Sequence, residues 1–106
     1  MTLPDFRDLL LEVHDKVYHY EPLNDCGKRY IVWTETKGRS HRGDGRRVLP
    51  VQRVQVDLYT DQEYDPLLEQ LLAALDRNNR VFYGEPIPSY DAATGMSRYI
   101  VECEVI

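Results

Sequence analysis

Long apolar runs are missing from this chain. No stretch of its 106 residues approaches the roughly 20 that a bilayer-spanning helix requires, so no membrane span is expected. Cysteine is scarce too. Cys26 and Cys103 lie far apart, outside any CxxC or Cys/His cluster, which gives no basis for a redox pair or a metal site. Cys103 sits in an alternating apolar run and reads as a buried free thiol, in keeping with synthesis in the reducing cytoplasm. The phosphate-cradling patterns GxxxxGKS/T and GxGxxG are absent, as is HExxH. The opening MTLPDFRDLLLEV is acidic and periodic, with no basic segment leading into an apolar run, and predicts no secretory leader.

Residues for catalysis are also thin. His14 falls beside an apolar stripe with no serine or cysteine placed as a nucleophile, and His19 stands among tyrosines without a second ligand at metal-binding spacing. Glu102 and Glu104 project from one side of an alternating run, where paired carboxylates are usually solvated and rarely do acid–base work. The expectation is a protein that is not an enzyme and has no catalytic residue, cofactor or metal.

What is present is a globular composition with an uneven charge. An apolar content of 42% against 29% charged residues argues for one folded domain over residues 1–106 and against global disorder. The formal net charge is −5, yet Lys37, Arg39, Arg42, Arg46 and Arg47 face only Asp44 within residues 37–47. That segment carries +4 and leaves −9 on the remainder, unlike the basic face of a generic nucleic-acid binder.

Periodicity supplies the elements. Thr2 and Asp5 have capping-box spacing, and Phe6, Leu9, Leu10, Val13 and Val17 recur at the helical period. Residues 17–20 read as a short strand and 29–36, RYIVWTET, as a β-branched and aromatic one. In 51–60, Val54, Val56 and Leu58 alternate with Arg53, Gln55 and Asp57. A second helix follows, with Asp65 as N-cap, Pro66 at its first position and Leu68, Leu71, Leu72 and Leu75 as its stripe. Residues 80–83 form a short edge segment, 84–95 a loop with Pro86 and Pro88, and SRYIVECEVI a closing strand. The economical assembly is α+β: a two-layer sandwich in which an antiparallel sheet of about four strands carries both helices on one face. Outward aromatic and apolar positions (Trp33 or its neighbours, Tyr59, Ile100, Ile106) then mark a surface for another subunit.

Residues 37–50 become the connection of a β-hairpin, about 12 residues longer than the geometry requires. Its RGD tripeptide reads as a chance match. Lack of apolar residues predicts a flexible backbone there.

The strand YIVW (Tyr30–Trp33), the long polar connection, QVDLYT (Gln55–Thr60), EYDPLLEQLLAAL (Glu63–Leu75) and the closing SRYIVECEV together resemble small tail-terminator or tail-completion proteins of long-tailed bacteriophages and prophages. The resemblance covers nearly the whole chain. Neighbouring neck and head–tail joining proteins share part of the pattern and form the alternative; a small protein- or nucleic-acid-binding module is the alternative of another class. The resemblance implies a virion structural protein whose subunits, monomeric when free, form a hexameric homo-oligomeric ring that caps the tail tube. It ends tube polymerisation and joins the tail to the head. Its implied partners are the tail-tube protein and a neck or connector protein, with transient non-specific DNA passage and no membrane. Lys37, Arg39, Arg42, Arg46 and Arg47 are then the docking-loop residues, ordered on assembly.

Overall fold

The computed structural model describes residues 1–36 and 51–106. Its elements are α1 (Leu3–Val13), β1 (Val17–His19), β2 (Arg29–Glu35), β3 (Gln52–Thr60), α2 (Pro66–Asp76), β4 (Val81–Tyr83), β5 (Ile87–Asp91) and β6 (Met96–Val105).

The helix starts follow their sequence signals. Thr2 Oγ1 accepts from Asp5 N–H at 3.1 Å, and Asp5 accepts in turn from Thr2 N–H at 3.2 Å, so two orphan donors of α1 are satisfied reciprocally. Asp65 caps α2, accepting from Leu67 N–H at 2.9 Å with Pro66 at the first helical position. Asp65 also takes a bidentate pair from Arg29 (2.9 and 2.7 Å) and a 2.6 Å bond from the Thr60 hydroxyl. Burial works against this carboxylate's charge. Arg29, Thr60 and the Leu67 amide more than offset it, lowering the pKa to about 2. One side chain thereby joins the start of β2, the end of β3 and the start of α2.

The sheet has six strands in the order β1-β2-β3-β6-β4, with β5 also on β6. All pairings are antiparallel except β1 with β2, which is parallel. The expected four-stranded antiparallel sheet is corrected on both counts. β1 contributes a short parallel edge, and residues 87–91 form a strand where Pro86 and Pro88 suggest only a loop. An edge strand has no neighbour on one side, so the missing proline donors cost little. β6 is ten residues long and outreaches the three-residue β4, leaving backbone for β5 to pair with. Gly84 N–H still reaches Glu102 carbonyl, whereas Ile87 stands opposite Ile100. Three steps on the edge strand thus span two on β6, which is a bulge, and bulges with prolines blunt an edge against further pairing.

Both helices pack on one face. Phe6 and Leu10 of α1 and Leu67, Leu71 and Leu75 of α2 meet Ile31, Trp33, Val54, Val56, Leu58, Val101, Cys103 and Val105 in one buried cluster. The strand members are cross-strand partners of like phase, Trp33 with Val56 and Val56 with Val101 for example. Two sequence readings are corrected here. The seam of α2 is Leu67, Leu71, Ala74 and Leu75, with Leu68 and Leu72 only half-buried beside it. In a leucine-rich helix two registers compete, and Ala74 gives little signal because it is small. Trp33 faces the helices, 5% exposed and edge-on to Phe6 at 6.3 Å, and the outward phase falls to its neighbours Val32 and Thr34. The alternation of β2 places Trp33 in phase with Ile31.

Candidate functional site

The docking-loop residues Lys37, Arg39, Arg42, Arg46 and Arg47, with the expected flexibility of 37–50, lie outside the described residues. Their anchorage does not. β2 and β3 pair as neighbours up to Glu35 opposite Val54, and Thr36 N–H donates to Arg53 carbonyl at 2.9 Å. Residues 37–50 therefore connect two adjacent antiparallel strands at one end of the sheet. A cleft of about 450 Å³ opens beside this root, lined by Thr36, Arg53, Gln55, Glu102 and Glu104 among others.

That cleft belongs to the sheet face turned away from the helices. Strand register arranges this face in rows across the sheet. The four-strand row farthest from the root is Tyr30–Tyr59–Arg98–Ser89, with the pair Met96–Asp91 beyond it, and Val32–Asp57–Ile100–Ile87 comes next toward the root. Nearer the root stand Thr34–Gln55–Glu102, then Arg53–Glu104–Phe82.

The first two rows are linked. Tyr30 and Tyr59 stack at 4.8 Å, Tyr18 meets Tyr30 edge-on at 6.2 Å, and the Arg98 guanidinium lies 5.6 Å from the Tyr59 ring centre. Arg98 Nη2 donates to Asp57 at 3.0 Å, and Gln55 Nε2 donates to both Asp57 oxygens at 3.1 Å. Asp57 is only 6% exposed although neither α1 nor α2 covers it; Gln55 and Arg98 hold its oxygens. Burial works against the Arg98 charge, and the Asp57 carboxylate more than restores it. Burial also raises the Tyr59 and Tyr30 phenols above their ordinary range. A shallow pocket of about 370 Å³ is lined by Tyr30, Tyr59, Arg98, Ser89 and Asp91 with Thr94 and Met96. Toward β4 and β5 the face turns apolar, with Phe82 58% and Ile87 48% exposed.

Tyr59 and Ile100 thus occupy the outward phase their alternation predicts; Ile106 lies just past the end of β6. The Asp57–Arg98 pair was not legible in the sequence. The residues are 41 positions apart, and only the β3–β6 register makes them neighbours. The one usable signal was that Asp57 and Tyr59 share a phase.

The remaining candidates hold the fold together. His14 Nε2 donates to the Arg29 carbonyl at 3.0 Å. His19 stacks between Tyr20 and Trp33, 3.8 Å from each ring, and bonds to Glu35, which also accepts from Tyr20 Oη at 3.2 Å. Tyr20 reaches this position with φ +75°, a left-handed conformation uncommon for a bulky residue. Cys103 is 3% exposed, and burial pushes its thiol up to about 12, so it carries no thiolate at neutral pH. Among the described residues no three His, Cys, Asp or Glu side chains gather as metal ligands, and no helix is long and apolar enough to cross a membrane. Rings, a guanidinium and carboxylates arrayed on a sheet face are groups suited to recognition.

No protein-family model matches the chain, and comparison with curated proteins returns no match.

Proposed function

We propose that this chain is a tail-terminator protein of the long-tailed bacteriophage type, a subunit of a ring that caps the tail tube, ends its polymerisation and forms the joint to the head. The observation that carries the reading is the placement of the 37–50 connection. Its anchor points are the facing ends of β2 and β3 in the middle of the sheet, one face of which neither α1 nor α2 covers. A ring-forming subunit needs a surface for its neighbours and a segment for the tube; the sheet face opposite α1 and α2 and the basic 37–50 connection are the candidates. The resemblance in the wording of β2, β3, α2 and β6 points the same way. The net +4 within residues 37–47 adds at most a salt-sensitive, sequence-independent attraction to passing DNA.

The test is assembly. Tail tubes polymerised from the cognate tube protein together with this chain are expected to stop at a defined length, with a ring at one end in electron micrographs. Tubes that keep growing, with the chain left in the supernatant, overturn the reading. A variant with residues 37–50 replaced by Asn-Gly is expected to fold yet fail to complete infectious tails in a complementation assay. Normal complementation would reduce that segment to a linker.

A further inference from the structure

Tyr20 is held in a backbone conformation that its side chain disfavours. Its φ is +75°, and Glu21 N–H donates back across it to the His19 carbonyl at 3.0 Å, which closes a three-residue γ-turn. That form of the turn is strained for a residue with a side chain, and such strain persists only where neighbouring contacts enforce it. The contacts here converge on one carboxylate. Glu35 accepts from Tyr20 Oη at 3.2 Å and is bonded to His19 Nε2, while the His19 ring lies between those of Tyr20 and Trp33. The segment itself is lightly anchored: β1 has three residues and pairs with β2 alone, and residues 20–25 are exposed. We infer that β1 and the turn after it form an acid-released latch on the edge of the sheet. The Glu35 carboxylate holds Tyr20 in its strained form, and protonating Glu35 lets this segment open as a unit ahead of the rest of the fold.

Location gives the latch its consequence. Among the described residues β1 is the outer neighbour of β2, where Tyr20 N–H and the Lys16 carbonyl occupy the Trp33 carbonyl and Ile31 N–H at 3.0 and 2.9 Å. Opening frees those backbone groups, and an uncovered strand edge is a template for pairing. The strand so exposed is the one that ends at Glu35, just before the 37–50 connection. The latch stands apart from the tail reading and does not depend on it.

The carboxylate is placed to respond. The side chains of His19 and Glu35 are 37% and 35% exposed, so protons reach the pair from solvent. The bond from His19 lowers the Glu35 carboxyl below its ordinary 4.5, burial opposes this more weakly, and Tyr20 Oη lowers it further. A carboxyl lowered in the folded chain stabilises the latch above its ordinary range and ceases to do so as pH falls through the lowered value. Among the described residues, β3 sets the apolar Val54 opposite Glu35 and α1 sets the apolar Phe6 against Trp33, so His19 and Tyr20 are the titratable groups on it. Lys37, two positions on, lies outside the described residues.

The experiment is amide hydrogen exchange followed by NMR, with the β3 and β6 amides as the internal control for the fold. At neutral pH the Tyr20 and Glu21 amides are expected to be protected. Glu35→Gln, which mimics the protonated acid, is expected to speed their exchange about tenfold with β3 and β6 unchanged. In the parent chain, protection of these two amides, corrected for the intrinsic pH dependence of exchange, should fall as pH drops below about 4.5 while β3 and β6 hold. That fall should be absent in Glu35→Gln. In a Tyr20→Gly chain, where a positive φ carries no strain, Glu35→Gln should change the same amides less than about threefold. No effect of Glu35→Gln, an equal loss in β6, an acid response that persists in Glu35→Gln, or a full tenfold effect in the Tyr20→Gly background would each overturn the latch.

Discussion

The two faces of the sheet are built from alternate residues of the same strands, and they use burial differently. On the helix side, Val54, Val56 and Leu58 of β3 are at most 1% exposed and belong to the buried apolar cluster. On the other side of the same strand, Gln55, Asp57 and Tyr59 are half-buried to buried and hold one another through hydrogen bonds, stacking and a guanidinium. The first face derives its stability from excluded water, which is non-directional and scales with area. The second relies on directional contacts, each small when partly solvated. The contrast teaches that a chain of this size can build one sheet face on excluded water and the other on directional polar and aromatic contacts.

The largest effect that tests this contrast is in the core. Leu71→Ala is expected to cost about 2–5 kcal/mol in denaturant unfolding, since Leu71 is fully buried between α2 and the sheet. Ile100→Ala, across the sheet, is expected to cost less than about 1.5 kcal/mol, because its side chain keeps access to solvent. Equal losses would erase the distinction between the faces.

Asp65→Ala comes next, at about 3 kcal/mol, because it strands the Arg29 guanidinium and uncaps α2. The carboxylate also has a pH signature. Its pKa is lowered from 3.8 to about 2, so its stabilisation is fully present above the unfolded value near 4 and disappears as pH falls through about 2. Acid titration of stability should lose about 2 kcal/mol across that window, and the Asp65→Ala chain should lack that component. An unchanged acid slope in the variant would remove Asp65 as its source.

Smaller still is Tyr59→Leu, which keeps bulk but removes the stack on Tyr30 and the ring under Arg98. The expected cost is about 1 kcal/mol by thermal or denaturant unfolding. A cost above about 3 kcal/mol would mean that this face behaves as a second core. The smallest change is expected from replacing residues 37–50 with Asn-Gly. Stability should stay within about 1 kcal/mol, because closure entropy varies slowly with loop length. A larger loss would show that this segment packs on the body of the protein.

Much of the fold was legible because its signals are local. The capping box at Thr2 and Asp5, the Asp65–Pro66 start of α2 and the two-residue period of β3 and β6 each act within a few positions along the chain. What was not legible depended on neighbours. Pro86 and Pro88 suppress a strand signal unless β6 extends far enough to pair with the edge, and it does. Leu67 and Leu68 are equivalent in composition, and only contact with the sheet selects the seam through Leu67. The candidate surface divides the same way, since alternation showed which side Tyr59 and Ile100 occupy but not that Asp57 would meet Arg98.

By itself the amino-acid order determined where helices begin, which phase of each central strand is apolar and where the positive charge is concentrated, because capping, alternation and charge are properties of short stretches. Tertiary structure alone decided the six-stranded mixed order, the bulged outer edge and the rows of the helix-free face. Each of these follows from strand register, and register is set by long-range packing, where a slip of one residue would turn every side chain to the opposite face.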